Sequence, residues 1–332
     1  MIIFSLIFSL FVIFYHNKII LFYNNFLKKK KIKTLSKKPT LGGFFIFINF
    51  ILYFILFENS MQNFFILEFD MYIFLICLSM LLLIGAYDDL FTLTPFERTM
   101  MISIILFFFL SSIDFYQIKI LQAKTFDVDI DITKISILFT IICFVTIINS
   151  INMFDGLNGQ SGLYFFQVFL YIYLNNNNVL FIILLISIAA FLILNLFNKI
   201  YFGDSGIYIL SFLLGLTFIN GYHNSYLDIE EIFLLSSVPF YDLIRLFFYR
   251  IFISNSPFSG DRNHIHHICT KNYGYFFSLI IIQIYISLIL VLTIFFSHVI
   301  AFLFSIIFYF LLVSTKKKLP KNLRNFNSSF FD

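Results

Sequence analysis

Apolar residues run through this chain in long blocks, with short polar stretches between them. A hydrocarbon core about 30 Å thick takes roughly 20 apolar residues per helix, fewer where neighbouring helices cover the ends. Runs of this kind fall at 2–23, 41–57, 71–87, 100–113, 135–151, 161–174, 178–197, 206–222, 231–252, 275–296 and 299–314. The pattern predicts an all-α, polytopic integral membrane protein of about eleven transmembrane helices. Ten is the alternative count, because the sixth and eighth runs are short. The first run is too long for a signal-peptide core and lacks a small-residue cleavage site, so it reads as a retained helix. No polar loop is long enough to form a soluble domain. Residues 1–315 therefore read as one transmembrane unit, with a basic tail over 316–332.

Composition agrees with the pattern. Hydrophobic residues make up 60% of the chain and charged ones 12%, whereas soluble domains are about one-quarter charged. A soluble enzyme and a nucleic-acid partner are both excluded from the expectation. Cys77, Cys143 and Cys269 show neither paired spacing nor a metal motif and read as small hydrophobes. The placement of charge says more than its total. "NNFLKKKKIKTLSKKP", after the first run, holds seven lysines, and "KKKLPKNLRN" near the end holds five basic residues. Basic loops stay in the cytoplasm, which predicts the N-terminus outside, the C-terminus inside and an odd number of spans. The alternate loops carry only Lys119, Lys124 and Lys134 of the basic residues, and about half of the 18 acidic ones.

The marked polar motifs all fall in the loops predicted to be cytoplasmic. They are "KKPTLGG" (37–43), "GAYDDLFTLTPFER" (85–98), "NSINMFDGLNGQSG" (149–162), "NKIYFGDSG" (198–206) and "SPFSGDRNHIHH" (256–267). Asp-Asp or Asn-Gly alone is usually a turn, but five such clusters on one face point to function, since polar groups at membrane depth are costly. The chemistry they suit is phosphoryl transfer. Mg²⁺ takes one or two carboxylates, keeps several waters and finds its other ligands on substrate phosphates. Asp88, Asp89, Asp155 and Asp204 offer carboxylates from three loops, and Arg262, His264, His266 and His267 offer donors for phosphate oxygens. Asn149, Asn152, Asp155 and Asn158 recur every three positions, a spacing that lines one side of a helix or a tighter end-turn with oxygens. Gly156 and Gly159 would let a ligand approach the backbone there. Two rival readings are weaker. Zinc at "HIHH" lacks the usual spacing and cysteine partners. A transporter would place its carboxylates near the bilayer midplane rather than at helix ends.

Taken in order, "PTLGG", "GAYDDLFTLTPFER", "NSINMFDGLNG", "YFGDSG", "PFYDLIRLFFYR" and "SPFSGDRNHIHH" resemble the polyprenyl-phosphate N-acetylhexosamine-1-phosphate transferases (glycosyltransferase family 4). This family also includes the phospho-N-acetylmuramoyl-pentapeptide translocase. The likeness covers residues 38–267, and "DRNHIHH" looks like the branch using UDP-N-acetylhexosamines for O-antigen, common-antigen or teichoic-acid linkers. The resemblance implies a Mg²⁺-dependent exchange, with Mn²⁺ as a substitute, on the cytoplasmic face of the bacterial inner membrane. Polyprenyl phosphate, undecaprenyl phosphate in bacteria, would attack a UDP-N-acetylhexosamine and release UMP; a homodimer is compatible with it. Carried over by residue, Asp204 would be a Mg²⁺ ligand, joined by Asn152. Asn158 and Tyr201 fall where relatives hold uracil, while Arg262 and the histidines would hold the diphosphate.

Asp88 and Asp89 fit positioning or the metal's surroundings better than general-base work, because a phosphate monoester is largely ionised near pH 7. Asp242 and Arg245 are spaced to pair across one turn, with Pro239 predicted to kink the helix before them. Lys37 and Lys38 would meet anionic lipid or substrate phosphate, or serve orientation alone. Gln160 stands where the family is usually apolar, and Ile207 replaces a common serine. A non-catalytic homologue or an ion-coupled transporter is the functional alternative.

Overall fold

The computed structural model describes residues 2–29, 39–56, 68–253 and 263–314. In chain order the α-helices are α1 (Ile2–Lys29), α2 (Gly42–Leu56), α3 (Glu68–Phe91), α4 (Pro95–Ser112), α5 (Ser136–Phe154) and α6 (Gln160–Asn176). They continue with α7 (Val179–Leu196), α8 (Gly203–His223), α9 (Ile229–Ile253), α10 (Ile265–Tyr273), α11 (Tyr275–Phe295) and α12 (His298–Ser314). Each of the eleven predicted apolar runs overlaps one of these helices. Eight of the described helices are long and apolar enough to cross a membrane. The chain is thus an all-α, multi-pass membrane protein.

α8 is the axis of the bundle. From Ser205 to Gly221 every residue is buried, which is the signature of a helix covered on all sides. α2, α3 and α5 pack directly against it, α6 pairs with α7, and α9 packs on α5, α11 and α12. Close approach at the start of α8 depends on two glycines. A Cβ on Gly43 would strike the backbone of Ser205 and Gly206, and one on Gly85 would strike Ser205 Cα. These glycines of "PTLGG" and "GAYDD" draw α2 and α3 onto the N-terminus of α8.

Helix ends follow local chemistry. Thr94 and Glu97 form a reciprocal capping box with Pro95 at the first position, which starts α4 sharply. Asn178 accepts from Leu180 N–H to start α7, one residue after Asn177 ends α6 in the left-handed region. α9 runs unbroken through Pro239.

Two elements were not expected. The loop 114–134 contains an antiparallel hairpin, β1 (Ile120–Ala123) and β2 (Val128–Asp131), with Ile120 opposite Asp131. It is tied to the bundle by polar contacts rather than burial. Gln122 N–H donates to the Tyr222 hydroxyl at 2.9 Å, Thr125 N–H donates to Glu230 Oε1 at 2.7 Å, and Lys124 pairs with Asp228 at 2.5 Å. The second is α10, a short helix inside the histidine segment that had been read as loop. The hairpin meets the C-terminal end of α8 and the polar motifs meet its N-terminal end. At 1.5 Å per residue the two lie about 30 Å apart.

Candidate active site

At the N-terminal end of α8, four of the five motif segments enclose a cavity of about 330 Å³. Its polar lining comes from Thr40, Asp89, Asn152, Asp155, Asn158, Asn195, Tyr201 and Asp204. The backbone of Tyr201 is fixed by a parallel bridge to Thr40: Tyr201 N–H donates to Pro39 O at 3.0 Å, and Gly42 N–H donates to Tyr201 O at 3.2 Å. Asn195, at the end of α7, holds two loops together. It accepts from Gly159 N–H at 2.6 Å and donates to Ile200 O at 2.8 Å. This lone asparagine in an apolar run was missed by sequence reasoning, although its polarity was a signal.

The start of α8 has no cap of its own: the N-cap residue, Phe202, offers no side-chain oxygen. Asp89 of α3 supplies one. Its Oδ1 accepts from Asp204 N–H at 2.9 Å and its Oδ2 from the Ser205 hydroxyl at 3.3 Å. Asp204, relieved of capping, faces the cavity, where its Oδ1 accepts from Asn152 Nδ2. Asp88 turns the other way and lies outside the cavity. It is buried, accepting from Leu93 N–H at 2.6 Å and the Tyr208 hydroxyl at 2.9 Å, with Arg98 Nη1 at 3.8 Å. Adjacent residues on a helix point about 100° apart, so the Asp-Asp pair divides between two tasks.

Arg98 also donates to Asn152 Oδ1 at 3.4 Å, and its Nε is buried without a partner. It stands inside the "TPFER" motif but was not singled out. An arginine at the head of an apolar run was the available signal. The Asp88 and Asp89 carboxylates lie close enough to Asp204 to repel it, and among the described residues Arg98 is the opposing charge.

α5 ends at Phe154, and the chain then turns through 155–159. Asn152, Asp155 and Asn158 line the cavity, but Asn149 does not. A step of three residues falls about 60° short of a full helical turn, so Asn149 is rotated off the face that Asn152 presents. Asp155 Oδ1 accepts from the Ser161 hydroxyl at 2.5 Å. Burial pushes its pKa up to about 6, partly offset by that hydrogen bond. Asn158 donates from its side chain to Asn198 Oδ1 at 2.9 Å and from its backbone to the Tyr275 hydroxyl at 2.5 Å.

The histidine segment reaches the site through Gly156. A Cβ there would overlap the ring of His266, so the bare backbone accommodates an imidazole of the protein itself rather than a ligand. His264, His266 and His267 cluster, with His264 and His266 stacked at 5.4 Å. Burial, followed by the two neighbouring histidines, pushes the His266 pKa down to about 3, so this ring is neutral at pH 7. His264 Nδ1 lies 3.2 Å from Asp242 Oδ2. Asp242 and Arg245 do pair, at 2.8 Å. Lys38 and Arg262 lie outside the described residues. Among those described, no group of three His, Cys, Asp or Glu side chains is arranged to hold a metal.

The model of glycosyl transferase family 4 matches residues 71–222, the segment that carries Asp88, Asp89, Arg98, Asn152, Asp155 and Asp204. The chain is 27% identical over 253 residues to the undecaprenyl-phosphate α-N-acetylglucosaminyl 1-phosphate transferase of Thermotoga maritima, covering 74% of this chain and 72% of that protein. It is 24% identical over 254 residues to the proteins of the same name from Salmonella typhi and Salmonella typhimurium, covering 70% of this chain and 65% of theirs. Over residues 71–222, which carry three of the four motif segments lining the polar cavity, the chain is similar to glycosyl transferase family 4.

Proposed function

We propose that this protein transfers an N-acetylhexosamine 1-phosphate from a UDP-sugar to undecaprenyl phosphate at the cytoplasmic face of the bacterial inner membrane. An oxygen of the lipid phosphate attacks the sugar-bearing phosphorus of the nucleotide. The bond from that phosphorus to the bridging oxygen breaks, UMP leaves with that oxygen, and undecaprenyl-diphospho-sugar remains. The lipid phosphate is largely ionised near neutral pH, with a second pKa of about 6, so proton abstraction contributes little and positioning dominates.

The observation that carries this reading is Asp204, released from capping by Asp89 and turned into the cavity beside Asn152. One carboxylate and one amide oxygen, completed by substrate phosphates and water, suit Mg²⁺ or Mn²⁺. Turning the Asn152 amide over would present its oxygen beside that of Asp204 and release Arg98 from its bond to that oxygen. A divalent ion held there would offset the diphosphate charge that Asp88, Asp89 and Asp204 otherwise repel. Arg98 would add a second positive charge toward the phosphates, the ring of Tyr201 would meet the flat uracil, and His264 and His267 would donate to diphosphate oxygens. The relatives' names make UDP-N-acetylglucosamine the first donor to test. The test is UMP release by purified protein with undecaprenyl phosphate, a panel of UDP-sugars and Mg²⁺, with and without chelator. Release that needs both the lipid and the ion is expected; no release with any donor refutes the proposal.

A further inference from the structure

α12 lies outside the segment matched by the family model, yet one of its side chains reaches the histidine cluster through two links. The Tyr309 hydroxyl is buried between α9 and α12. It donates to Asp242 Oδ1 at 2.8 Å and accepts from Arg245 Nε at 2.8 Å. Asp242 Oδ1 also accepts from Arg245 Nη2 at 2.8 Å and from Ile265 N–H, the first amide of α10, at 3.1 Å. Its other oxygen meets His264 Nδ1 at 3.2 Å. Arg245 Nη2 also donates to Asn263 O at 2.5 Å, on the chain leading into His264. His264 occupies the N-cap position of α10 without capping it, because Asp242 does so from α9.

We propose that Tyr309 is a positioning residue for the phosphate-handling histidine, acting through Asp242. This rests on the transferase reading above. The tyrosine fixes where the Asp242 carboxylate and the Arg245 guanidinium sit. Those two groups fix the backbone at Asn263 and Ile265 and the orientation of the His264 ring. With Nδ1–H directed at Asp242, Nε2 is the nitrogen presented to substrate, and in the imidazolium its N–H donates to a phosphate oxygen. Replacing the hydroxyl by hydrogen leaves Arg245 Nε without its acceptor and removes one of three donors from a buried carboxylate oxygen. The first turn of α10 then loses its fixed position.

The test compares two tyrosines at the same helix interface. Tyr241 joins α9 to α12 through Ser305 at 2.8 Å and packs its ring on that of Tyr309 at 5.6 Å, but its hydroxyl makes no hydrogen bond to Asp242 among those described. Tyr309→Phe should lower kcat/KM for the UDP-sugar about tenfold or more, with the KM for undecaprenyl phosphate unchanged. Tyr241→Phe should leave both near wild type. Independently of turnover, acylation of His264 by diethyl pyrocarbonate, read by mass spectrometry of the full-length protein in detergent, should speed up in Tyr309→Phe only. Equal effects of the two substitutions on kinetics and on His264 acylation would reduce Tyr309 to helix packing and overturn the proposal. If wild-type protein releases no UMP, the transferase reading falls, while the acylation comparison still decides whether Tyr309 positions His264.

Discussion

Asp204→Asn should abolish transfer while leaving the fold at least as stable as wild type. An aspartate in the first turn of a helix usually needs no more explanation than capping and the helix dipole. Asparagine caps about as well, so a capping aspartate would tolerate the change in every assay. Here that explanation fails on geometry. Asp89 caps α8 from outside, and the Asp204 side chain bonds Asn152 across the cavity instead. Asparagine at 204 keeps an oxygen for the Asn152 amide, so the hydrogen bond survives with less charge assistance, a loss of about 1 kcal/mol. Against that, removing one of three mutually repelling carboxylates returns on the order of 1 kcal/mol. Stability should therefore hold or rise slightly.

Activity should move the other way. A carboxylate that holds a divalent ion against the transferring phosphates contributes several kcal/mol to the transition state, which corresponds to a rate loss of at least about a hundredfold. The assay is UMP release against Mg²⁺ concentration, beside thermal unfolding in detergent. Retention of more than about a tenth of the wild-type rate at saturating Mg²⁺ would move the ion to Asp89 or Asp155. A matching fall in both rate and melting temperature would mean that Asp204 is structural.

Tyr201→Phe should keep most activity, and Tyr201→Ala should raise the KM for the UDP-sugar roughly tenfold to a hundredfold, since base stacking is worth about 1–3 kcal/mol; an unchanged KM in the alanine variant removes the uracil assignment. Gly156→Ala should cut turnover strongly by displacing the His266 ring, and adding His266→Ala should restore melting temperature but not rate; simple additivity of the two on stability would show that they do not touch. Asp155→Asn should be more stable than wild type at pH 7.5, by at most about 3 kcal/mol, the equivalent of raising the carboxyl from 3.8 to about 6. The folded chain holds that proton more tightly than the unfolded one, so wild type loses stability as pH rises from about 4 to about 6; melting curves of the pair at pH 4.5 and 7.5 that differ equally contradict this.

The helices were legible because membrane depth writes a coarse, redundant signal: each of the eleven runs became a helix, including the short sixth and eighth. What stayed hidden depends on partners far away in sequence. α10 is only nine residues long, and its first amide is satisfied by Asp242, which no local pattern announces. The hairpin at 120–131 exposes all four residues of β2, so it had no buried face to mark it. Among site residues, four of the five motif segments meet at one cavity, but the motifs could not assign directions. Asp88 and Asp89 are neighbours in sequence and diverge in space. Asn149 shares a period with Asn152 but not its face. Gly156 meets an imidazole where a ligand had been expected. Arg98 was in plain view inside a quoted motif, and its importance came only from facing Asn152 and Asp88 together.

The same device appears twice in this site. α8 and α10 each begin without a side-chain cap of their own, and in each case an aspartate from a neighbouring helix takes over: Asp89 of α3 for α8, Asp242 of α9 for α10. A residue at a helix start that caps its own helix has its polar atoms committed to backbone amides. Capping from outside leaves Asp204 and His264 free at positions where amide dipoles concentrate positive potential, which is where a phosphate would be drawn. The arrangement costs stability locally, since among the described residues three carboxylates share one arginine and a histidine is buried neutral. Ligands that neutralise those charges bind only the folded chain and should stabilise it by mass action. Protection against heat by Mg²⁺ with a UDP-sugar should accordingly exceed the sum of their separate effects, and Asp204→Asn should erase that excess without lowering the melting temperature of the unliganded protein.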